Sequence, residues 1–223
     1  MMLVQAELGI SIKLKENKIA VVAIENPTIW RDIQKSLIKQ ISGEEMNWIL
    51  SQEEAEIAWN KYVELILNPL FVDENCKHVS SKFLQSIQNI SVSEKRWLRY
   101  QELNRIIHNF FYDIEMEFDF DFEIDENIDT AKLAKAVGIH IVQEYDTDLE
   151  RLIKYCILVR DLLKIQVFIF FDLKRFFPKK EIQIFYDEAK GRKWNIILFE
   201  SGQFNVLRDE KYFILDKDGC FIS

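Results

Sequence analysis

At 223 residues the chain is long enough for one sizeable core carrying an insert, and 48% apolar content with only 6 Gly and 3 Pro excludes a disordered or linker-rich protein. Lys plus Arg number 29 against 37 Asp plus Glu, a formal net charge of −8. That balance excludes nucleic-acid attraction driven by net charge, leaving only a local basic surface for such a role.

At the N-terminus Glu7 interrupts the first apolar stretch, so no leader peptide is expected, and the cytoplasm is the expected compartment. Met2 to Leu14 alternates as two short strands around Gly9, and Ile19 to Ile24 reads as a buried strand. Pro27 suits the start of a helix over Thr28 to Ile41, with Asn26 as its cap. Glu44 to Asn60 is ambiguous, and Tyr62 to Leu67 reads as a strand. Two helices follow, over Ser80 to Ile90 and Glu94 to Tyr112; the second sets Trp97, Tyr100, Leu103, Ile107 and Phe110 or Phe111 on one stripe.

Asp129 caps a short helix ending at Gly138, and Ile139 to Val142 is a short extended piece. Thr147 to Leu163 is a long amphipathic helix. Gln166 to Asp172, Asn195 to Glu200 and Tyr212 to Asp216 read as strands, with a helix over Pro178 to Lys190. Apolar strands separated by a helix imply a parallel sheet covered on both faces. The longest apolar run, Ile165 to Phe171, falls far short of the ~20 residues of a membrane span. The expected fold is α/β, with a sheet core from residues 1–75 and 165–223 and a helical insert over 76–164.

A nucleotidase would carry a Gly-rich, Lys-bearing phosphate loop after the first core strand. Here the turn from Ile24 to Asp32 reads IENPTIWRD, without Gly or Lys, so its amides cannot form that cradle. Asp172, at the tip of an apolar strand, is the residue a magnesium-dependent nucleotidase reading would rest on. Hydrolase elbows and Cys/His protease signatures are missing. Cys76, Cys156 and Cys220 lie far apart and far from zinc-ligand spacing with His78, His108 and His140, which fits reduced thiols. Asp216 to Gly219 resembles the opening of a calcium loop, but twelve positions would overrun Ser223, so a tight turn is expected.

From Glu115 to Asp125, acids at Glu115, Glu117, Asp119, Asp121, Glu123 and Asp125 alternate with apolar residues. Extended throughout, this stretch would put all six carboxylates on one face. Neighbours ~7 Å apart repel by ~0.6 kcal/mol in bulk water and more where partly buried. Pattern alone leaves two offsets open: solvent with Lys or Arg partners, or Ca²⁺, which takes 6 to 8 hard oxygen ligands. Basic residues follow in three clusters: Lys132 and Lys135; Arg151, Lys154, Arg160 and Lys164; Lys174, Arg175, Lys179 and Lys180.

The order of pieces resembles the CRISPR-associated adaptation accessory protein of type II-A systems, in its short form. The similarity lies in AIENPTIWRDIQ, in the acid row followed by LAKAVGIHI, in the long helix leading into VFIFFD, and in ILFE followed by RDEKYFILD. The resemblance implies a nucleotidase-like, degenerate P-loop-type core with an inserted helical subdomain and no catalysis of its own. It also implies a Ca²⁺-stabilised homotetrameric ring that takes double-stranded DNA by its ends during spacer acquisition in antiviral defence. Partners would be the CRISPR integrase complex and the type II effector nuclease. Asp121, Glu123 and either Asp125 or Glu126 stand in the calcium-bearing places, with Asp119 beside them, and Lys135, with Lys132 next to it, in the DNA-facing place. Lys132 stands where relatives tend to have an acid, and an extra residue lies within the acid row. The alternatives are a nucleotide-dependent enzyme resting on Asp172, or a structural interaction subunit without DNA affinity.

Overall fold

The computed structural model describes residues 1–53 and 55–222. In chain order the strands are β1 (Met2–Gln5), β2 (Ile10–Lys13), β3 (Ile19–Ile24), β4 (Trp48–Gln52), β5 (Ala55–Glu56), β6 (Val63–Ile66), β7 (Val167–Phe171), β8 (Asn195–Glu200), β9 (Glu210–Leu215) and β10 (Phe221–Ile222). The helices are α1 (Pro27–Ser42), α2 (Trp59–Tyr62), α3 (Lys77–Ser91), α4 (Trp97–Glu115), α5 (Thr130–Ala136), α6 (Asp148–Leu163), α7 (Leu173–Phe176) and α8 (Lys179–Gly191). They fall into two compact units, residues 1–73 with 143–223, and residues 74–142.

The first unit is α/β. Its six-stranded sheet runs β10-β9-β3-β8-β7-β6, parallel except for the antiparallel edge strand β10. Alternation within β7 divides two apolar layers. Val167, Ile169 and Phe171 join one core cluster with Ile33 and Leu37 of α1 and with Trp48 of β4. Phe168 and Phe170 face the other way, where Phe168 meets Trp194 and Phe170 meets Phe185 of α8 at centroid distances of 5.3 Å. Both faces are covered, which is why β3, β7 and the inner part of β8 are apolar throughout.

A four-stranded antiparallel sheet, β2-β1-β4-β5, adds Leu3, Ile10, Ile12, Trp48 and Leu50 to the α1-side cluster, with Trp48 edge-on to Phe199 at 5.9 Å. The ambiguous stretch after α1 thus supplies β4, whose alternation is masked by Ile49, apolar yet half exposed.

The second unit, 74–142, holds α3, α4 and α5. Its far boundary differs from the expected one, because α6 belongs to the first unit. Tyr155 donates to Glu64 of β6 at 2.5 Å, and Arg151 donates to the Val72 carbonyl at 2.6 Å. Leu149, Leu152, Cys156 and Val159 are buried on the same helix, and burial holds the Cys156 thiol well above its ordinary pKa. The piece Ile139 to Val142 forms no strand.

Candidate functional site

The acid row is not a strand. Glu115 closes α4, residues 116–120 turn, and 121–125 carry no strand hydrogen bonds. Burial nevertheless alternates over 121–125: Asp121, Glu123 and Asp125 are exposed while Phe122 and Ile124 are half-buried. The period-two pattern therefore holds for the second half of the row and fails for the first.

The partner of this segment is a helix rather than another strand. The Phe122 amide donates to Glu115 Oε1 at 2.9 Å. His108 Nε2 donates to the Asp125 carbonyl at 3.1 Å, which fixes the proton on that nitrogen because a carbonyl only accepts. Asn104 Oδ1 accepts from the Ile128 amide at 3.4 Å, and Tyr100 donates to the Ile128 carbonyl at 3.0 Å. At 100° per residue, Tyr100, Asn104, His108 and Glu115 lie within about 80° of arc on α4.

The sequence places Tyr100 on an apolar stripe and offers His108 only as an isolated histidine without zinc-ligand spacing, and nothing in it singles out Asn104. The available signal was polar residues at i, i+4 and i+8 on a helix otherwise lined by large apolar side chains.

Among the described residues no ion pair engages Glu117, Asp119, Asp121, Glu123, Asp125 or Glu126. The Lys or Arg partners of the solvated-strand alternative are therefore not supplied by this unit. The donor set is entirely hard carboxylate oxygen, the chemistry calcium takes and zinc or copper does not prefer. No three His, Cys, Asp or Glu side chains converge as a finished metal site among the described residues. Asp119, Asp121, Glu123, Asp125 and Glu126 thus offer the oxygen chemistry calcium takes, without the convergence of a formed site.

Lys132 and Lys135 lie one turn apart on α5. Asp129 caps this helix, accepting from the Ala131 and Lys132 amides at 2.9 and 3.0 Å. Gln88 of α3 anchors the same end, its Oε1 accepting from the Thr130 amide and hydroxyl at 2.7 Å each. Lys132 is 87% exposed, with Asp129 3.8 Å away, and Lys135 is exposed at the last turn. Two exposed ammonium groups one turn apart on an anchored helix have the chemistry that meets phosphate oxygens.

In the first unit, the place of a phosphate loop is filled from within. Asn26 Oδ1 accepts from the Thr28 and Ile29 amides at 2.9 and 3.4 Å, and its amide group donates to the Lys217 carbonyl at 2.9 Å. The α1 amides a phosphate would use are thus taken by the chain's own side chain. Asp172 sits at φ 53°, its Oδ1 accepting from the Ser201 amide at 2.7 Å and hydroxyl at 2.6 Å. Beside it Glu200 is fully buried, and burial raises its carboxyl to about 8 against the partial relief of the Lys174 amide. Lys174 is committed to Glu210 at 2.9 and 3.1 Å. Tyr186 also donates to Glu210 at 2.7 Å, and burial raises its phenol above the ordinary range.

A parallel α/β core, a filled phosphate-loop position and a separate helical unit with an acid segment describe a nucleotidase-like protein with a degenerate loop. A family model described as CRISPR-associated protein (Cas_Csn2) matches residues 40–219, and the chain belongs to that family. This bears out the resemblance to the type II-A accessory family. No curated protein matches the chain. Among solved structures, an ABC-transporter ATP-binding protein from Pyrococcus furiosus is 11% identical, with 92% of this chain and 88% of that one covered at a TM-score of 0.39. An ATP-binding cassette of an ABC transporter is also 11% identical, with 96% and 83% covered at a TM-score of 0.48. No helix among the described residues is long and apolar enough to cross a membrane.

Proposed function

We propose that the chain is a non-catalytic, double-stranded-DNA-end-binding protein of CRISPR spacer acquisition, acting as a calcium-supported homotetrameric ring. Membership of the CRISPR-associated family supports the pathway. The single observation that favours binding over catalysis is Asn26, whose side chain occupies the helix amides where a nucleotide phosphate would sit.

Self-association is favoured by the second unit's exposed apolar residues, among them Leu98 at 83%, Met116 at 86% and Phe120 at 64%. Single exposed apolar groups need no partner, but a concentration of them on one small unit marks an interaction surface. DNA would be held through its phosphates by Lys135 and Lys132, so binding would be sequence-independent and weaken steeply with salt. The integrase complex and the effector nuclease are the partners this role requires.

Native mass measurement in calcium, combined with duplex titration at low ionic strength, tests the reading. The expected result is a species near four times 26.6 kDa that shifts linear duplex. A 26.6 kDa species without duplex affinity refutes it.

A further inference from the structure

Of the third basic cluster, Lys174, Arg175, Lys179 and Lys180, two members line a cavity of the first unit. It measures about 150 Å³, and Lys174 and Lys179 share its lining with Phe177, Ile182, Phe204 and Leu207. An apolar cavity of about this size takes one benzene-sized group, whereas a nucleotide or cofactor needs roughly 300 Å³ or more. Its scale is therefore that of a single large side chain.

The wall over 204–207 is held in place from below. The Phe204 amide donates to the Tyr212 hydroxyl at 3.0 Å, Lys174 Nζ donates to the Asn205 carbonyl at 2.9 Å, and the Leu207 amide donates to Glu210 Oε2 at 2.8 Å. A cavity whose walls are already fixed loses little entropy when it is filled.

Charge around the cavity is one-sided. Lys179 and Lys180 are exposed, and no ion pair engages either among the described residues. The neighbouring carboxylates are spent elsewhere: Glu210 on Lys174 at 2.9 Å, Asp209 on Lys190 at 2.6 Å, and Asp172 on Ser201. Both lysines also stand at the first two positions of α8, where a cation opposes the helix dipole, and Glu181 is the only acid of that turn. Pro178, at the N-cap, has no side-chain oxygen to accept from the first amides. An anion brought from outside would relieve both conditions. A duplex backbone offers the anion but no apolar group for the cavity; an acidic peptide with a large apolar side chain offers both.

We propose that the start of α8 and the cavity beside it form a docking surface for an acidic peptide segment of a partner protein. One large apolar side chain of that segment enters the cavity between Phe177 and Phe204, and its carboxylates meet Lys179, Lys180 and the open α8 amides. This surface lies in the α/β unit and does not depend on the calcium reading of the acid segment.

The test follows fluorescence anisotropy of a labelled, amidated peptide, Asp-Glu-Phe-Glu-Asp, titrated with the whole chain at low ionic strength. Saturable binding that weakens with salt is expected. Replacing both lysines, Lys179→Gln with Lys180→Gln, is expected to weaken it about fivefold, with circular dichroism unchanged. Phe204→Ala in the chain, or Ala for Phe in the peptide, is expected to weaken it about tenfold. No saturable binding by the wild-type chain, or equal affinity for the Phe and Ala peptides, overturns the proposal. A duplex oligonucleotide that displaces the peptide with the same dependence on Lys179 and Lys180 overturns it in favour of nucleic acid. A lower native mass of the double variant, with no peptide bound by the wild-type chain, overturns it in favour of a second copy.

Discussion

Glu200 ends β8 with no solvent exposure, its Oε1 on the Lys174 amide and its Oε2 without a hydrogen-bond partner among the described residues. Desolvation raises its carboxyl from 4.5 to about 8. Between those two values the folded chain keeps a proton that the unfolded chain releases, so stability falls as pH rises through this window. The loss is on the order of a few kcal/mol by the time both states are ionised. Thermal unfolding from pH 6 to 9 should show wild-type Tm dropping more than that of Glu200→Gln, whose amide cannot ionise. Parallel curves would mean the carboxyl titrates normally. Asp172 next to it was legible in the sequence as an acid at a strand tip, but not its role. Only the fold shows that its carboxylate is spent on Ser201.

At the scale of elements, Asn26 and Pro27 gave away the start of α1 because capping is local: a side-chain oxygen and the amides two and three residues on. Asn26→Ala should destabilise the first unit by about 1 kcal/mol, read from urea unfolding; no change would mean that the Asn26 contacts are not formed in solution. Asp129 at α5 was legible for the same reason. The clasp between α4 and the acid segment was not, since bonds from side chains to main chain across 7 to 28 positions leave no periodic signature. The alternation of acids was visible, yet it implied a strand because period two says that a chain is extended and not what it lies on. The assignment of α6 failed similarly: its amphipathic stripe predicts a buried face, while Glu64 and Val72 decide which unit buries it.

At the scale of the molecule, the charge of −8 is distributed unevenly, with unpaired acids on one segment and exposed lysines on α5 just after it. A cation on the acid segment lowers the local repulsion that a DNA phosphate would meet on approaching the same unit. Calcium would then support DNA binding in two ways, by stabilising the segment and by reducing the opposing field. The α/β class and parallel sheet were legible from the apolar strand runs; which apolar residues point outward was not, since Leu98 and Met116 look like core in a sequence. The most direct measurement compares binding of linear and closed circular duplex of equal length, each in calcium and in chelator. The account predicts that linear duplex is shifted in calcium, that chelation weakens the shift, and that closed circles compete poorly. Equal affinity for circles and linear duplex, indifferent to chelation, would contradict it.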